Sequence, residues 1–188
     1  MVMRMEQFTF QVYWKQYKLI EKRMVDLSDY VWIHRKNYPT FSNQFINMFL
    51  SICSEIDSFT NELCKDIAPS EKKRFGINNK MNLLIAVYPK LRSWRCKTKY
   101  PYEGINFVPF AKFDETETAD WWKAYNLVKH ARTEKDESGF YNYQKANLKN
   151  IMYALSALFI FLSKVYAEIG SEPDFQIESE IFEIDFCS

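Results

Sequence analysis

The chain has 188 residues, which fits one domain, residues 1–188, that can bury a sizeable hydrophobic core. Apolar residues make up 47% of the sequence and aromatic residues 18%, a composition that excludes a disordered chain. Only four glycines and six prolines are present, too few for the regular turns of an all-β sandwich. The net charge of +1 argues against a strongly basic nucleic-acid binder, although it allows a local basic patch.

Apolar residues recur at spacings of three and four along most of the chain, which is typical of helices with one buried face. The sequence predicts helices over about residues 6–34, 40–67, 78–88 and 143–169, and another that ends near 133. Thr40 is a candidate N-cap for the second helix, and Thr116 or Thr118 for the fourth. The predicted fold is therefore mainly α, an up-and-down bundle of four to five long helices. The fifth helix holds the most apolar run and is expected at the centre.

Residues 90–116 form an irregular insertion between the third and fourth helices, because Pro101, Gly104 and Pro109 exclude a continuous helix. Short β-structure is expected here. Basic residues alternate with aromatic ones around Trp94 and Arg95, a pattern that can hold single-stranded nucleic acid through phosphates and stacking. The alternative is a solvated connection whose aromatic side chains fold inward.

The tail, residues 171–188, contains six acidic residues and no lysine or arginine. Three interpretations stay open: a final strand, an arm that docks onto a basic surface or partner, or a frayed end. The tail is treated as part of the single helical domain.

The four cysteines are scattered without a CxxC pair, so a four-thiolate zinc site is not expected. They are interpreted as reduced thiols of a cytoplasmic protein. The start of the chain lacks the apolar stretch of a signal peptide. The run Ile151–Leu162 is shorter than the roughly 20 residues of a membrane span. No cofactor, metal ion or membrane partner is predicted.

The stretch WWKAYNLVKHAR, residues 121–132, is the densest set of polar residues with functional potential. On a helical wheel of about 100° per residue, the predicted core face is Trp121, Ala124, Leu127, Val128 and Ala131. The predicted polar face is Trp122, Asn126, Lys129 and His130, with Tyr125 and Arg132 at the border. An exposed Trp122 leaves a large apolar area uncovered. We therefore expect the insertion, the tail or a second subunit to cover it.

His130 is accordingly expected in a partly buried, polar pocket, within reach of Asn126 four residues earlier. The neighbouring cations Lys129 and Arg132 favour a neutral imidazole. A neutral imidazole can accept a proton near neutral pH, as a general base must. The alternative is structural: Asn126 and His130 hydrogen-bond to a neighbouring loop and fix its position.

The Asn-x-x-x-His segment on a helix that opens off a loop, followed by ANLKN and a long apolar helix, resembles the HEPN superfamily of helical domains. The resemblance covers about residues 40–165 in layout. Members of this superfamily often carry an arginine, then a polar residue that is commonly Asn, and a few residues later a histidine. In active members the arginine and the histidine meet at a dimer interface and cleave RNA without metal. Asn126 and His130 match that pattern, whereas Tyr125 occupies the arginine position. Arg132 is the candidate replacement for the missing cation.

The resemblance implies a bacterial cytoplasmic protein that forms a homodimer and binds RNA or cleaves it without metal, in a defence or toxin system. In the cleaving version His130 is the general base, Asn126 orients it, and Arg132 or Lys129 stabilises the phosphorane charge. The predicted binding residues are Trp122, Tyr125, Trp94 and Arg95. The alternative function is a non-catalytic helical module that holds a partner protein through Trp122 and other aromatic residues.

Overall fold

A computed structural model describes residues 5–69, 76–114, 116–169 and 176–184. Within these ranges the helices are α1 Gln7–Ser28, α2 Asn43–Ile67, α3 Ile77–Val87, α4 Asp120–His130 and α5 Leu148–Ile169. The strands are β1 Cys96–Thr98, β2 Asn106–Phe107 and β3 Phe182–Ile184. The predicted mainly-α fold with a short β-containing insertion is confirmed. Three of the helices are long, with 22, 25 and 22 residues, and α3 and α4 have 11 each.

The end of α1 and the start of α2 differ from the sequence-based predictions. The chain leaves α1 at Ser28, before the predicted end near 34, and makes a 3₁₀ turn at Arg35–Asn37. Ser42 caps α2, since its Oγ accepts a hydrogen bond from the backbone N–H of Phe45 at 3.1 Å. The predicted Thr40 cap was wrong.

Neither predicted threonine caps α4. Its N-cap residue is Ala119, which offers no side-chain acceptor. The Thr118 hydroxyl instead donates to Asn78 Oδ1 at 2.7 Å, and that of Thr116 donates to Asp114 Oδ1 at 3.0 Å. Both hydroxyl groups are thus used to hold the preceding loop. At the other end, α4 stops at His130, three residues before the predicted end near 133.

α5 is the central element of the fold, as its composition predicted. It contacts α1, α2, α4 and β3, and in the run Ile151–Leu162 only Tyr153 is partly exposed. By length and composition α5 could cross a membrane, but 67% of its most apolar window is buried inside the protein. Such burial is what a core helix shows.

The β-structure is a three-stranded antiparallel sheet with the order β2-β1-β3. Two strands come from the predicted irregular insertion. The third comes from the acidic tail, where Phe182 pairs with Thr98 and Ile184 pairs with Cys96. Of the three interpretations of the tail, the final strand is the one that the described residues 176–184 support; residues 171–175 and 185–188 lie outside the described ranges.

A buried carboxylate fixes this tail to α1. Glu21 is fully buried, and its Oε1 accepts hydrogen bonds from the Tyr17 hydroxyl at 2.8 Å, the Ser179 hydroxyl and the Glu180 N–H at 3.0 Å. Lys18 Nζ lies 2.5 Å from the other carboxylate oxygen. Burying a charge is costly unless it is paired and hydrogen-bonded. This carboxylate meets both conditions, so its role is structural; we name the five residues, Tyr17, Lys18, Glu21, Ser179 and Glu180, the Glu21 cluster.

The described cysteines, Cys53, Cys64 and Cys96, are buried and free, in line with the prediction of reduced thiols. Burial raises the pKa of all three, to about 11 for Cys64. A raised pKa lowers the thiolate fraction and so the nucleophilicity of a thiol. These cysteines are therefore packing residues. Cys187 lies outside the described residues.

Candidate nucleic-acid interface

α4 buries a different side from the one that the wheel predicted. Its buried residues are Trp121, Trp122, Ala124, Tyr125 and Val128. Its exposed residues after the first turn are Lys123, Asn126, Leu127, Lys129 and His130. Relative to the prediction, the core face is rotated by about 60° around the helix axis, at about 100° per residue. Trp122 was wrongly placed on the polar face, and Leu127 was wrongly placed in the core.

The size of the aromatic side chains explains the rotation. Trp122 is 4% exposed and its ring contacts those of Trp121 and Tyr125, with centroids 5.5 and 5.0 Å away. Tyr125 in turn meets Phe49 of α2 edge to face at 6.3 Å. Aromatic side chains bury about 150–250 Å² each, so two of them outweigh one leucine, and Leu127 is left 39% exposed.

The burial of Trp122 takes place within one chain. Trp122 is therefore buried without a second subunit, and the ring contacts described for it are those with Trp121 and Tyr125 of its own helix. Trp121 is tied to the insertion, because its indole N–H donates to the Pro109 carbonyl at 2.8 Å. Trp122 and Tyr125, two of the predicted binding residues, lie inside the core and present no free ring face to a ligand. Burial also raises the pKa of Tyr125.

The exposed side of α4 is a stripe of residues three and four apart, which we call the α4 stripe: Lys123, Asn126, Leu127 and His130, with Lys129 at its edge. Asn126 and His130 are exposed, and neither side chain hydrogen-bonds to any residue that the structure describes. The expectation of a partly buried pocket around His130 was wrong, because the large aromatic residues turn this side of the helix outward. Within the described chain, Asn126 and His130 do not fix a loop either.

Lys129 and Arg132 stay close to the helix that carries them. The Lys129 ammonium lies over the Tyr125 ring, 5.4 Å from its centroid. Arg132 is exposed, and its Nε donates to the Val128 carbonyl at 3.3 Å. The other guanidinium donors make no hydrogen bond to described residues. Both cations can therefore meet a phosphate group from solvent.

A hairpin-like segment after α4 adds aromatic residues that the sequence analysis did not select. The Tyr143 N–H donates to the Arg132 carbonyl at 3.0 Å, and Lys135 pairs with Tyr141. Gly139, with φ of 82°, makes the turn between them. The tight turn thus returns the chain to the end of α4.

The side chains of this segment form an aromatic ladder with Phe41, a residue of the loop before α2. Tyr141 stacks on Tyr143 with centroids 5.6 Å apart, and Tyr143 meets Phe41 at 5.7 Å. Lys135 Nζ lies 4.9 Å from the centroid of Tyr141. Tyr141 and Phe41 are 39% and 41% exposed. The ladder therefore places exposed rings and a cation beside the C-terminal end of α4.

The buried side chain of Asn142 fixes the position of this ladder. Its Nδ2 donates to the Ala131 carbonyl at 2.9 Å, and its backbone N–H donates to the Glu134 carbonyl at 2.9 Å. The first bond satisfies a carbonyl at the end of the helix, where such groups lack intrahelical partners. Asn142 is polar and begins a short 3₁₀ turn, Asn142–Lys145, so no local sequence pattern predicts its burial.

The other two predicted binding residues lie elsewhere. Trp94 is half-buried, packs on Tyr88 with centroids 5.3 Å apart, and has Lys164 Nζ at 5.3 Å from its ring. Arg95 is also half-buried. Lys164 is 16 residues beyond Leu148, about 24 Å along the helix axis, whereas the aromatic ladder precedes the start of α5. Trp94 and Arg95 thus do not join the α4 stripe.

Comparison with protein-family models, with curated proteins and with solved structures gives no match to this chain. The geometry of this surface offers exposed cations, a histidine and an amide without hydrogen-bond partners among the described residues, and a stacked pair of tyrosines of which Tyr141 is exposed. These groups can contact phosphates and stack on bases.

Proposed function

We propose that this protein binds single-stranded RNA along the α4 stripe and the aromatic ladder. The observation that carries the proposal is the exposed pair Asn126 and His130, which has no hydrogen-bond partner among the described residues. This pair lies between flanking cations, next to exposed aromatic rings. Proteins that hold single strands combine cations that follow the backbone with aromatic side chains on which bases stack. A chain of net charge +1 can bind RNA in this way when its cations are clustered on one surface.

Charge around the ladder argues for modest affinity. Glu134 and Glu137 are exposed in the same segment, and Asp136 pairs with Lys145 at 2.6 Å. The acidic side chains offset part of the attraction that the exposed cations provide. We therefore expect binding through a few phosphate contacts together with stacking, and a correspondingly moderate salt dependence.

The direct test is fluorescence anisotropy with a labelled single-stranded RNA of about 12 nucleotides. We expect affinity to fall as salt rises from roughly 50 to 200 mM, and each lost phosphate contact to reduce the logarithmic salt slope by about 0.7. The test variants are Lys123→Gln, Lys129→Gln and Arg132→Gln. Lys15→Gln, at an exposed position on α1, is the matched control.

A flat salt response, or equal slopes in the control and the three test variants, would contradict the proposal. Duplex RNA serves as a specificity control, because its bases are not available for stacking. Tyr141→Ala should weaken binding without changing the salt slope, since stacking releases no counterions. The measurement thus separates the two parts of the surface.

Cleavage is tested in the same samples. In the cleaving version of the proposal, His130 takes the proton of a 2′-hydroxyl group, whose oxygen attacks the adjacent phosphorus while Arg132 stabilises the negative charge on the phosphorane oxygens. The bond from phosphorus to the 5′-oxygen breaks, which leaves a 2′,3′-cyclic phosphate and a 5′-hydroxyl group that takes a proton from His130 or water. RNA incubated with chelator and wild-type protein, and with His130→Ala, distinguishes the cases. Loss of cleavage in the variant supports the reaction, whereas intact RNA with both proteins limits the function to binding. A cytoplasmic homodimer in a defence or toxin system belongs to the same proposal.

One observation favours the rival function, a protein-interaction module. Phe8, Val12 and Leu19 are 74%, 52% and 50% exposed on α1, and their spacings of four and seven place them on one side of the helix. A stripe of this kind suits docking of a partner helix. A variant with serine in place of Phe8, Val12 and Leu19 should leave RNA binding intact if the α4 stripe binds RNA. The same variant should abolish binding of a partner protein if α1 is the docking surface.

A further inference from the structure

A pocket of about 390 Å³ lies beside the first turns of α4 and α5, against β2. It is at the opposite end of α4 from His130, about 15 Å away along the helix axis. Its volume falls within the range of about 300–1,000 Å³ that is usual for small-molecule sites. The proposed RNA interface does not use it.

The inner wall of the pocket is apolar and fixed. Pro109, Ala119 and Trp121 line it and are buried. The indole of Trp121 donates to the Pro109 carbonyl at 2.8 Å, so this wall is held by a hydrogen bond across two elements. Tyr153 also lines the pocket, with its ring held edge to face against Phe107 at 5.2 Å. Flat, apolar surfaces of a ligand can pack here without rearrangement of the protein.

The mouth of the pocket carries one more positive charge than negative. Lys112 and Asp120 form an ion pair at 2.6 Å, and the hydrogen bond from Lys112 lowers the pKa of Asp120. Lys149 is the second lysine in the lining. It is exposed and forms no ion pair within 4 Å with the described residues. After Lys112 and Asp120 cancel, one positive charge remains.

Two further polar groups in the lining lack partners in the described chain. The Tyr153 hydroxyl makes no hydrogen bond with the described residues, and neither does the Asn106 side-chain amide. Both can bond to a ligand, and the hydroxyl can donate to an anion. A cation and a hydroxyl donor next to a fixed apolar wall together suit an amphiphilic acid.

We propose that this pocket binds a small monocarboxylic acid with a flat apolar body. The carboxylate receives hydrogen bonds from the Lys149 ammonium and the Tyr153 hydroxyl, and the body packs against Pro109 and Trp121. A monoanion matches the single uncompensated charge, whereas a dianionic phosphate leaves one charge unpaired, which disfavours it. The inference is independent of RNA binding.

The experiment is an NMR titration of the full chain with benzoate, with benzamide as a neutral ligand of the same shape and phenyl phosphate as the dianion. We expect benzoate to shift the Trp121 indole signal and the Asn150 amide, both in the pocket lining. Benzamide and phenyl phosphate should bind more weakly by about tenfold or more. Equal binding of benzamide, or shifts that avoid these two signals, would overturn the proposal.

Two variants should change affinity in opposite directions. Lys149→Met removes the free cation and should weaken benzoate binding by about tenfold. Asp120→Asn releases Lys112 from its ion pair and should strengthen binding. Both positions are exposed, so circular dichroism should show an unchanged fold, and Lys15→Met on α1 is the control. An unchanged affinity in Lys149→Met contradicts the proposal, as does weaker binding in Asp120→Asn.

Discussion

The Glu21 cluster and the α4 stripe hold polar residues in opposite situations. Glu21 is fully buried and its carboxylate accepts hydrogen bonds from two hydroxyl groups and a backbone N–H. Asn126 and His130 are exposed and make no hydrogen bond with described residues. The Glu21 cluster stabilises the fold, because a buried polar group without partners is costly and Glu21 has hydrogen-bond partners. The second set contributes little to the fold and is free for a ligand.

The difference teaches that polar residue type alone does not mark a functional site. A glutamate in the middle of α1 is unremarkable in the sequence, yet it fixes the last strand to the first helix. His130, which the sequence pattern singles out, has no hydrogen-bond partner among the described residues. Burial and hydrogen bonding, which depend on the whole fold, separate the two roles.

The largest expected effect on stability distinguishes the buried residues of α4 from the residues of the α4 stripe. Trp122→Ala should lower the free energy of unfolding by about 4 kcal/mol, because it removes a buried aromatic side chain. Leu127→Ala should cost less than about 1 kcal/mol, since the leucine is 39% exposed. Urea denaturation of both variants measures the contrast. A larger cost for Leu127 would restore the wheel-based assignment of the core face.

A smaller loss is expected in the Glu21 cluster. Glu21→Ala should cost about 3 kcal/mol, because buried donors lose their acceptor. Ser179→Ala should cost about 1 kcal/mol, and it should increase hydrogen exchange in β3 before the rest of the core. Asp26→Ala, at an exposed site on the same helix, is the control and should stay within about 0.5 kcal/mol. Equal losses at positions 21 and 26 would remove the distinction between the regions.

The smallest stability effect belongs to the stripe itself. Asn126→Ala and His130→Ala should each change the free energy of unfolding by less than about 0.5 kcal/mol, because both side chains are exposed and neither hydrogen-bonds to a described residue. Both should nevertheless weaken RNA binding severalfold. Thermal denaturation and anisotropy on the same samples test this combination. A large loss of stability would show a structural role for these residues.

Periodic apolar spacing predicted the helices well, because that signal is repeated over many residues. It predicted α3 within one residue at each end, and it identified α5 as the central helix. Single-residue signals were weaker: Ser42 instead of Thr40 caps α2, since capping depends on where the loop places a hydroxyl group. The orientation of α4 was mispredicted because a wheel counts positions and not buried area.

The site could be predicted only in part for the same reason. Asn126, Lys129, His130 and Arg132 are on the surface, as a polar face requires. The contribution of Tyr141, Tyr143 and Phe41 depends on a turn at Gly139 and on the packing of a distant loop, which no local pattern encodes. Trp94 and Arg95 matched a pattern of alternating basic and aromatic residues, but the fold places them away from the α4 stripe, where Trp94 lies beside Lys164 of α5.

The most direct test of the account is an NMR titration of the labelled protein with a short single-stranded RNA. We predict that the amide signals that shift are concentrated in residues 123–135 and 141–143, and that those of Tyr17, Glu21 and Ser179 do not shift. Shifts confined to the region of Trp94 and Arg95, or no shifts at all, would contradict the assignment of the α4 stripe as the RNA-binding surface.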